Sequence, residues 1–192
     1  AGVFVLMITW RRGRCVLGER LSANSMPIET FLEDFQRRGA TRVRGNAVYM
    51  TGNPNVVPNA LLKNLEHNRV LHFQVAVRSP VTEDVPHVPR EERVTMKGLG
   101  NGFYRVIARY GFMDEPNALE VLDLLKGLGL NMPLQDTTFF LGRERITPAK
   151  KPGMPIWQEK LFGFMSRNAQ QATAYFRIPP DRVIEVGSQI EL

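Results

Sequence analysis

Cysteine is almost absent from this sequence, since Cys15 is the only one among 192 residues. A single cysteine excludes a disulfide within the chain and is compatible with a reducing compartment. No apolar run reaches the roughly 20 residues that a complete transmembrane helix needs. The sequence therefore predicts a globular chain, long enough to bury a core without disulfides, that contains no transport pathway of its own.

The residue patterns of catalysis and metal binding are also missing. Neither a P-loop nor a GxGxxG pattern occurs, and the glycines of 98–102 precede a strand pattern, which predicts a hairpin or a loop exit. His67 and His72 flank a break between helix and strand, so surface or capping roles are favoured over a shared metal. Cys15 has no histidine near it in sequence. We predict no enzyme activity, no cofactor, no catalytic residues and no metal site.

What the sequence does have is an apolar start followed by clustered arginine. Residues 1–10 are almost wholly apolar and end at Trp10, after which Arg11, Arg12 and Arg14 follow. A tryptophan at headgroup level with cations on the cytoplasmic side is typical of the end of a membrane helix. We predict a membrane interface at these four residues, with anionic lipid headgroups near Arg11–Arg14. The alternative is a buried N-terminal strand followed by a basic turn.

The net charge of +6 supports that prediction, because it is unevenly distributed. Residues 1–44 hold eight arginines against four carboxylates, which gives +4, and the remaining 148 residues carry only +2. Basic charge concentrated beside an apolar end favours an anionic surface as the partner. Aromatic residues do not alternate with these arginines, so lipid is favoured over nucleic acid.

The periodicity predicts a mixed α+β fold. An amphipathic helix over 27–38 precedes strand, helix and strand patterns at 47–51, 58–68 and 70–79. A second unit follows, with a short strand near 93–97, a strong strand over 102–112, a helix from Ala118 and a strand over 137–146. A helix pattern over 154–176 and a strand from Val183 to Ile190 complete the chain.

The order β-α-β-β-α-β permits a compact mixed sheet of ferredoxin-like type with helices on one face. A doubly wound sheet is the alternative. We predict three regions: residues 1–14 as the end of a membrane helix with its basic flank, residues 15–44 as a linker and amphipathic helix, and residues 45–192 as an α+β domain.

Several longer runs together carry a family resemblance. They occur in the order VFVLMITWRRGR, NLEHNRVLHFQVAV, GFYRVIARYGFMDEP, TTFFLGRE and FMSRNAQQATAYFRIPPDRVIEVGSQIEL. These runs closely resemble the C-terminal region of the Kup/HAK/KT potassium-uptake transporters, over essentially the whole chain. One departure is Phe73-Gln74, where many members have Glu-Arg after the histidine.

The resemblance implies a fragment that reaches the C-terminus of a potassium:proton symporter of the inner or plasma membrane, with this domain on the cytoplasmic side. Ala1–Trp10 would then be the last turns of the final membrane helix. The residues that bind potassium and relay protons would lie in other membrane helices, so none is assigned here. The implied role is regulation or assembly, with the transmembrane domain, a second copy and an unknown cytosolic ligand as partners, and no nucleic acid.

Two other function classes remain as alternatives. A free-standing basic nucleic-acid-binding domain would need a basic, aromatic sheet face, for which Tyr104, Arg105 and Arg109 are the only indication. Tyr104 alternates away from the two arginines, which weakens this alternative. A small hydrolase is disfavoured because no nucleophile and base are paired in the sequence.

Overall fold

The structure is a computed structural model that describes residues 2–23, 25–38, 40–147, 154–167 and 172–191. Six helices and six strands are assigned in these ranges. In chain order they are α1 (Gly2–Ala23), α2 (Ile28–Arg38), β1 (Thr41–Met50), α3 (Asn59–Asn68), β2 (Val70–Glu83), β3 (Val94–Gly100), β4 (Phe103–Gly111), α4 (Ala118–Gly127), β5 (Thr137–Thr147), α5 (Ile156–Arg167), α6 (Ala172–Tyr175) and β6 (Val183–Glu191).

The six strands form one mixed sheet in the order β3-β4-β2-β1-β5-β6. β1 lies between β2 and β5 and is parallel to both, and β2 is also parallel to β4. The edge strand β3 is antiparallel to β4, to which a tight turn at Asn101 connects it. The predicted mixed sheet with a β-α-β-β-α-β core is therefore confirmed, and so is the hairpin at the glycines of 98–102.

Helices cover both faces of this sheet. Because strand residues alternate, Ala47 and Tyr49 pack with α2 and α3 in one core cluster, whereas Val48 packs with α4 in the other. The expectation of helices on one face, as in a ferredoxin-like sheet, is wrong, and the doubly wound alternative describes the arrangement. The physical reason is the α4 connection, which carries the chain from β4 past β2 to the far side of β1.

Local sequence explains the helices that build these layers. In α2, the side chains of Ile28, Phe31 and Leu32 are buried at the predicted spacing, and Phe35 packs against the same cluster. In α4, the side chain of Asn117 caps the helix by accepting a hydrogen bond from the backbone N–H of Leu119 at 2.9 Å. Both predicted helices are confirmed to within a few residues.

The chain divides into two compact units. The larger comprises Met26–Gly142 and Gln171–Val186 and contains both sheet clusters. The smaller comprises Ala1–Ser25, Arg143–Gln170 and Gly187–Leu192, with a core of Leu17, Met154 and Phe162. The helix predicted over 154–176 is found as α5 and α6, and its middle, at 168–171, lies outside the described residues. The predicted boundaries at residues 14 and 44 stay a prediction.

Candidate functional site: helix α1 and its basic turn

The first ten residues belong to a helix, not to a buried strand. α1 continues without interruption from the apolar run through the arginines to Ala23, and it lies in the smaller unit. This confirms the helical interpretation of the N-terminal run over the alternative of a strand. Among the described residues, no helix combines the length and the apolar character that crossing a bilayer requires.

The apolar half of α1 presents its large side chains outward. Val3, Phe4 and Met7 have exposed fractions of 71%, 68% and 66%, and Val5, Leu6 and Ile8 are exposed as well. Single exposed apolar residues are common on protein surfaces, but six in one stretch of helix form a contiguous patch. Such a patch is typical of a surface that contacts a membrane or another protein.

A narrow stripe of α1 faces the inside of the smaller unit. Thr9, Gly13 and Leu17 recur every four residues and are all buried. The Gly13 backbone lies against the ring of Phe162 in α5, where a Cβ atom would come within 2.3 Å of Cδ2. The glycine thus permits a close approach of the two helices, and Val16 and Leu21 of α1 pack against the same core.

The four residues predicted at the membrane interface lie together in consecutive turns of α1. Trp10 is 37% exposed, and its ring centroid is 5.5 Å from that of Phe162, at a tilt of 55°. Arg11, Arg12 and Arg14 are exposed. Tryptophan held at one end of an apolar surface, with three free cations in the next turn, is the side-chain arrangement found at a membrane–water boundary.

The other residues considered from sequence do not assemble into a reactive site. Cys15 is exposed, and its Sγ donates a hydrogen bond to Glu19 at 3.5 Å. His67 ends α3, His72 lies within β2 and His87 lies in a loop, where it contacts Asp114. No group of three metal-ligating side chains occurs among the described residues.

The basic residues of β4 pair with carboxylates. Arg105 forms an ion pair with Glu29 of α2 at 2.7 Å, and Arg109 forms one with Glu83 of β2 at 3.3 Å. Tyr104 packs against the cluster on the other face, as the alternation predicts. No observation here favours the alternative of a nucleic-acid platform.

Sequence analysis missed a carboxylate that fixes the loop after β2. Asp114 accepts hydrogen bonds from the backbone N–H groups of Val88 and Gly111, at 2.9 and 2.8 Å, and contacts Nδ1 of His87 at 2.7 Å. These hydrogen bonds hold the pKa of the Asp114 carboxyl well below its ordinary value. The only signal in the sequence is an aspartate in turn chemistry, which is too common to assign a role.

A second missed feature is a cation in the core. Arg78 of β2 is only 2% exposed, and its Nη2 donates to the phenol oxygen of Tyr110 at 2.6 Å. It stands in the run VAVRS, where alternation places it on the same face as the buried Ala76. An arginine at an inward position of a strand is the one signal that could have identified it.

Comparison with known proteins places this architecture in a family. The family model that describes the K+ potassium transporter C-terminal domain matches residues 44–192. A probable potassium transport system protein Kup of Myxococcus xanthus is 52% identical over 99% of this chain and 29% of its own length. A probable potassium transport system protein Kup 1 of Geobacter sulfurreducens is 50% identical over 99% of this chain and 30% of its own length.

A third relative, the probable potassium transport system protein Kup 1 of Paramagnetospirillum magneticum, is 49% identical over the full chain and 30% of its own length. The chain therefore spans about three tenths of the length of the curated relatives it matches. No solved structure matches it.

Proposed function

We propose that this chain is the cytosolic C-terminal domain of a potassium:proton symporter, because it belongs to the family of K+ potassium transporter C-terminal domains. Its relatives are named as potassium transport proteins. That name refers to the complete relative, and this chain spans about 30% of its length. The observation that carries the proposal is this match together with the exposed apolar surface of α1. The role that we propose is regulatory or structural rather than catalytic.

The proposed attachment to the membrane follows from α1. Its exposed apolar half enters the bilayer of the inner or plasma membrane, Trp10 lies at headgroup level, and the three arginines face the cytoplasm among anionic lipids. The positive-inside bias gives this orientation, because arginine is enriched in segments next to the cytoplasmic end of a membrane helix. Each cation near an anionic leaflet contributes about 1 kcal/mol to the attraction.

The proposed mechanism is a bias on the conformations of the membrane part. A cytosolic domain changes the rate of transport only if a ligand or a second copy binds one conformation of the whole protein better than another. The edge strand β3 supports a dimer, because an edge strand presents unpaired backbone groups to a second copy. Sedimentation velocity tests this: a species of twice 21.8 kDa supports the dimer, and a monomer at every concentration contradicts it.

Rubidium uptake tests the role itself. Cells that lack their own potassium uptake would express the complete parent protein, with or without residues 16–192, at matched abundance in the membrane. Lower uptake, or a lost response to internal potassium, in the truncated protein supports the proposal. Equal uptake with equal control contradicts a regulatory role, and no uptake by the complete protein contradicts potassium transport itself.

A further inference from the structure

The buried cation of β2, Arg78, lies beside the carboxyl end of β1. Arg78 is level with Met50, the last residue of β1, and its carbonyl accepts a hydrogen bond from the N–H of Thr51 at 2.9 Å. The four parallel strands have the order β4-β2-β1-β5, and the connections after β1 and β4 cross opposite faces. In doubly wound sheets, ligands bind beyond the carboxyl ends of the strands near such a reversal.

The guanidinium of Arg78 has fewer partners than its five N–H groups allow. Nη2 donates to Tyr110, Nη1 has only the weak acceptor Sδ of Met50 at 3.8 Å, and Nε has no hydrogen-bond partner. The ring of Phe176 covers the guanidinium, with its centroid 5.3 Å from Cζ. No carboxylate pairs with Arg78 among the residues that the structure describes.

Neither neighbour neutralises this charge. Burial raises the pKa of the Tyr110 phenol, which therefore stays protonated near neutral pH. An aromatic ring face offers a cation only a partial substitute for water. A buried cation without an anion is costly, and replacement by an apolar side chain of similar size is often neutral or stabilising. An anion bound at Arg78 would compensate this cost, which gives the buried charge a use.

We propose that Arg78 binds an oxyanion, the phosphate or carboxylate group of a small organic ligand, at the carboxyl end of β1 and beside β2. The planar fork of arginine matches both groups in a bidentate geometry. Phe176 gives way to admit the ligand, since its ring lies over the guanidinium. Binding at Arg78 does not depend on the proposed membrane role; a regulatory use of the ligand does.

Thermal unfolding of the 192-residue chain tests the site with inorganic phosphate and acetate as probes, at an ionic strength held constant with sodium chloride. A probe at about five times its Kd is expected to raise the Tm by roughly 2–4 °C. The Arg78→Met variant is expected to unfold at the same or a higher temperature without a probe and to lose this rise. Arg69→Met, which removes an exposed arginine, is the matched control and keeps it.

Comparison with the Arg69→Met control also corrects for the general stabilisation that phosphate gives to any folded protein, because this effect is the same in all variants. A rise with phosphate alone identifies a phosphate ligand, and a rise with acetate alone identifies a carboxylate ligand. A rise of the same size in Arg78→Met, or no rise with either probe, overturns the proposal.

A second variant keeps the proposal testable should Arg78→Met fail to fold. Phe176→Leu shortens the side chain that covers the guanidinium, so we expect the Kd for the active probe to fall several-fold, because the open state becomes more populated. Titration calorimetry measures this change directly. A Kd that is unchanged or higher in Phe176→Leu contradicts the gating role of Phe176 and, with it, the proposed site.

Discussion

Gly13 of α1 lies in direct contact with the ring of Phe162 of α5, which is completely buried. A Cβ atom at residue 13 would stand 2.3 Å from the ring, closer than two carbon atoms approach. The absence of a side chain at this one position therefore sets how closely α1 packs within the smaller unit. The same packing determines which side of α1 stays exposed.

We expect Gly13→Ala to destabilise the chain by about 1–3 kcal/mol, because the added methyl group forces the buried ring of Phe162 to move. Gly18→Ala is the matched control on the same helix, since nothing lies within 4 Å of its Cβ position. That variant should gain up to about 1 kcal/mol from helix propensity. Chemical denaturation of both variants measures the difference, and equal effects would show that Gly13 is not a contact point.

We expect Asp114→Asn to loosen the loop around His87 and Val88. Oδ2 of Asp114 accepts from the N–H groups of Val88 and Gly111 and Oδ1 contacts His87, whereas the amide of asparagine has no charge and only one acceptor oxygen for these contacts. Hydrogen exchange of these two amides should accelerate. Asp123→Asn on the exposed side of α4 is the control and should leave them protected.

The same carboxylate predicts a pH dependence. The pKa of Asp114 is lower in the folded chain than its ordinary value of 3.8, so its stabilisation is fully present above that value. The stabilisation is then lost as the pH falls through the lower, folded pKa. Protection of the Val88 amide should fall with acid below about pH 4, and in Asp114→Asn this acid-dependent loss should be absent.

We expect vesicle binding by the chain to depend on the basic turn of α1. Replacement of Arg11, Arg12 and Arg14 by glutamine should weaken binding to vesicles with anionic lipid by about a hundredfold at low salt, at about 1 kcal/mol per cation. Co-sedimentation with the vesicles measures it. The matched control replaces three exposed cations of the larger unit, Arg69, Arg90 and Lys126, with glutamine.

The control variant carries the same change in net charge, so it should keep most of the binding. Equal losses in the two triple variants would contradict a specific interface at α1. Added salt should weaken the binding of the unaltered chain, because screening shortens the range of the attraction.

We expect Arg42→Lys to destabilise the larger unit by about 1–3 kcal/mol. Arg42 donates hydrogen bonds to the carbonyl oxygens of His72, at 2.7 Å, and Asn101, and its Cζ lies 5.2 Å from the ring centroids of Phe35 and Phe103. Lysine keeps the charge but has neither the planar fork nor the stacking surface. Thermal unfolding measures the effect against Arg44→Lys, an exposed neighbour that should be neutral.

Sequence periodicity predicted the bounds of α2, α3, β4, β5 and β6 closely, but it missed the extent of β1 and β2. β1 begins at Thr41, six residues before the predicted strand, because Arg42, Arg44 and Gly45 break the apolar pattern and a register shift interrupts the pairing with β2 there. β2 also continues through Pro80. Beyond Arg78, no residue of β1 lies beside β2. The missing N–H of Pro80 therefore leaves no carbonyl of β1 without its hydrogen bond.

The presence of helices on both faces of the sheet could not be predicted from the sequence, because it depends on which distant strand β5 pairs with. Local patterns define β5 and α4 but do not say that the chain passes β2 to pair with β1. Trp10 and the arginines lie together because they are adjacent in sequence, and their role at a membrane stays a prediction. The inward position of Arg78 in its strand is visible in the sequence, but its partners Tyr110 and Phe176 are not, since they are 32 and 98 residues away.

The most direct test of the central claim is rubidium uptake by the complete parent protein, measured at several internal potassium contents and at matched membrane abundance. With residues 16–192 present, uptake should fall as internal potassium rises; without them, uptake should be lost or should no longer respond. The same uptake curve with and without these residues would contradict the proposal that this domain controls or assembles a potassium transporter.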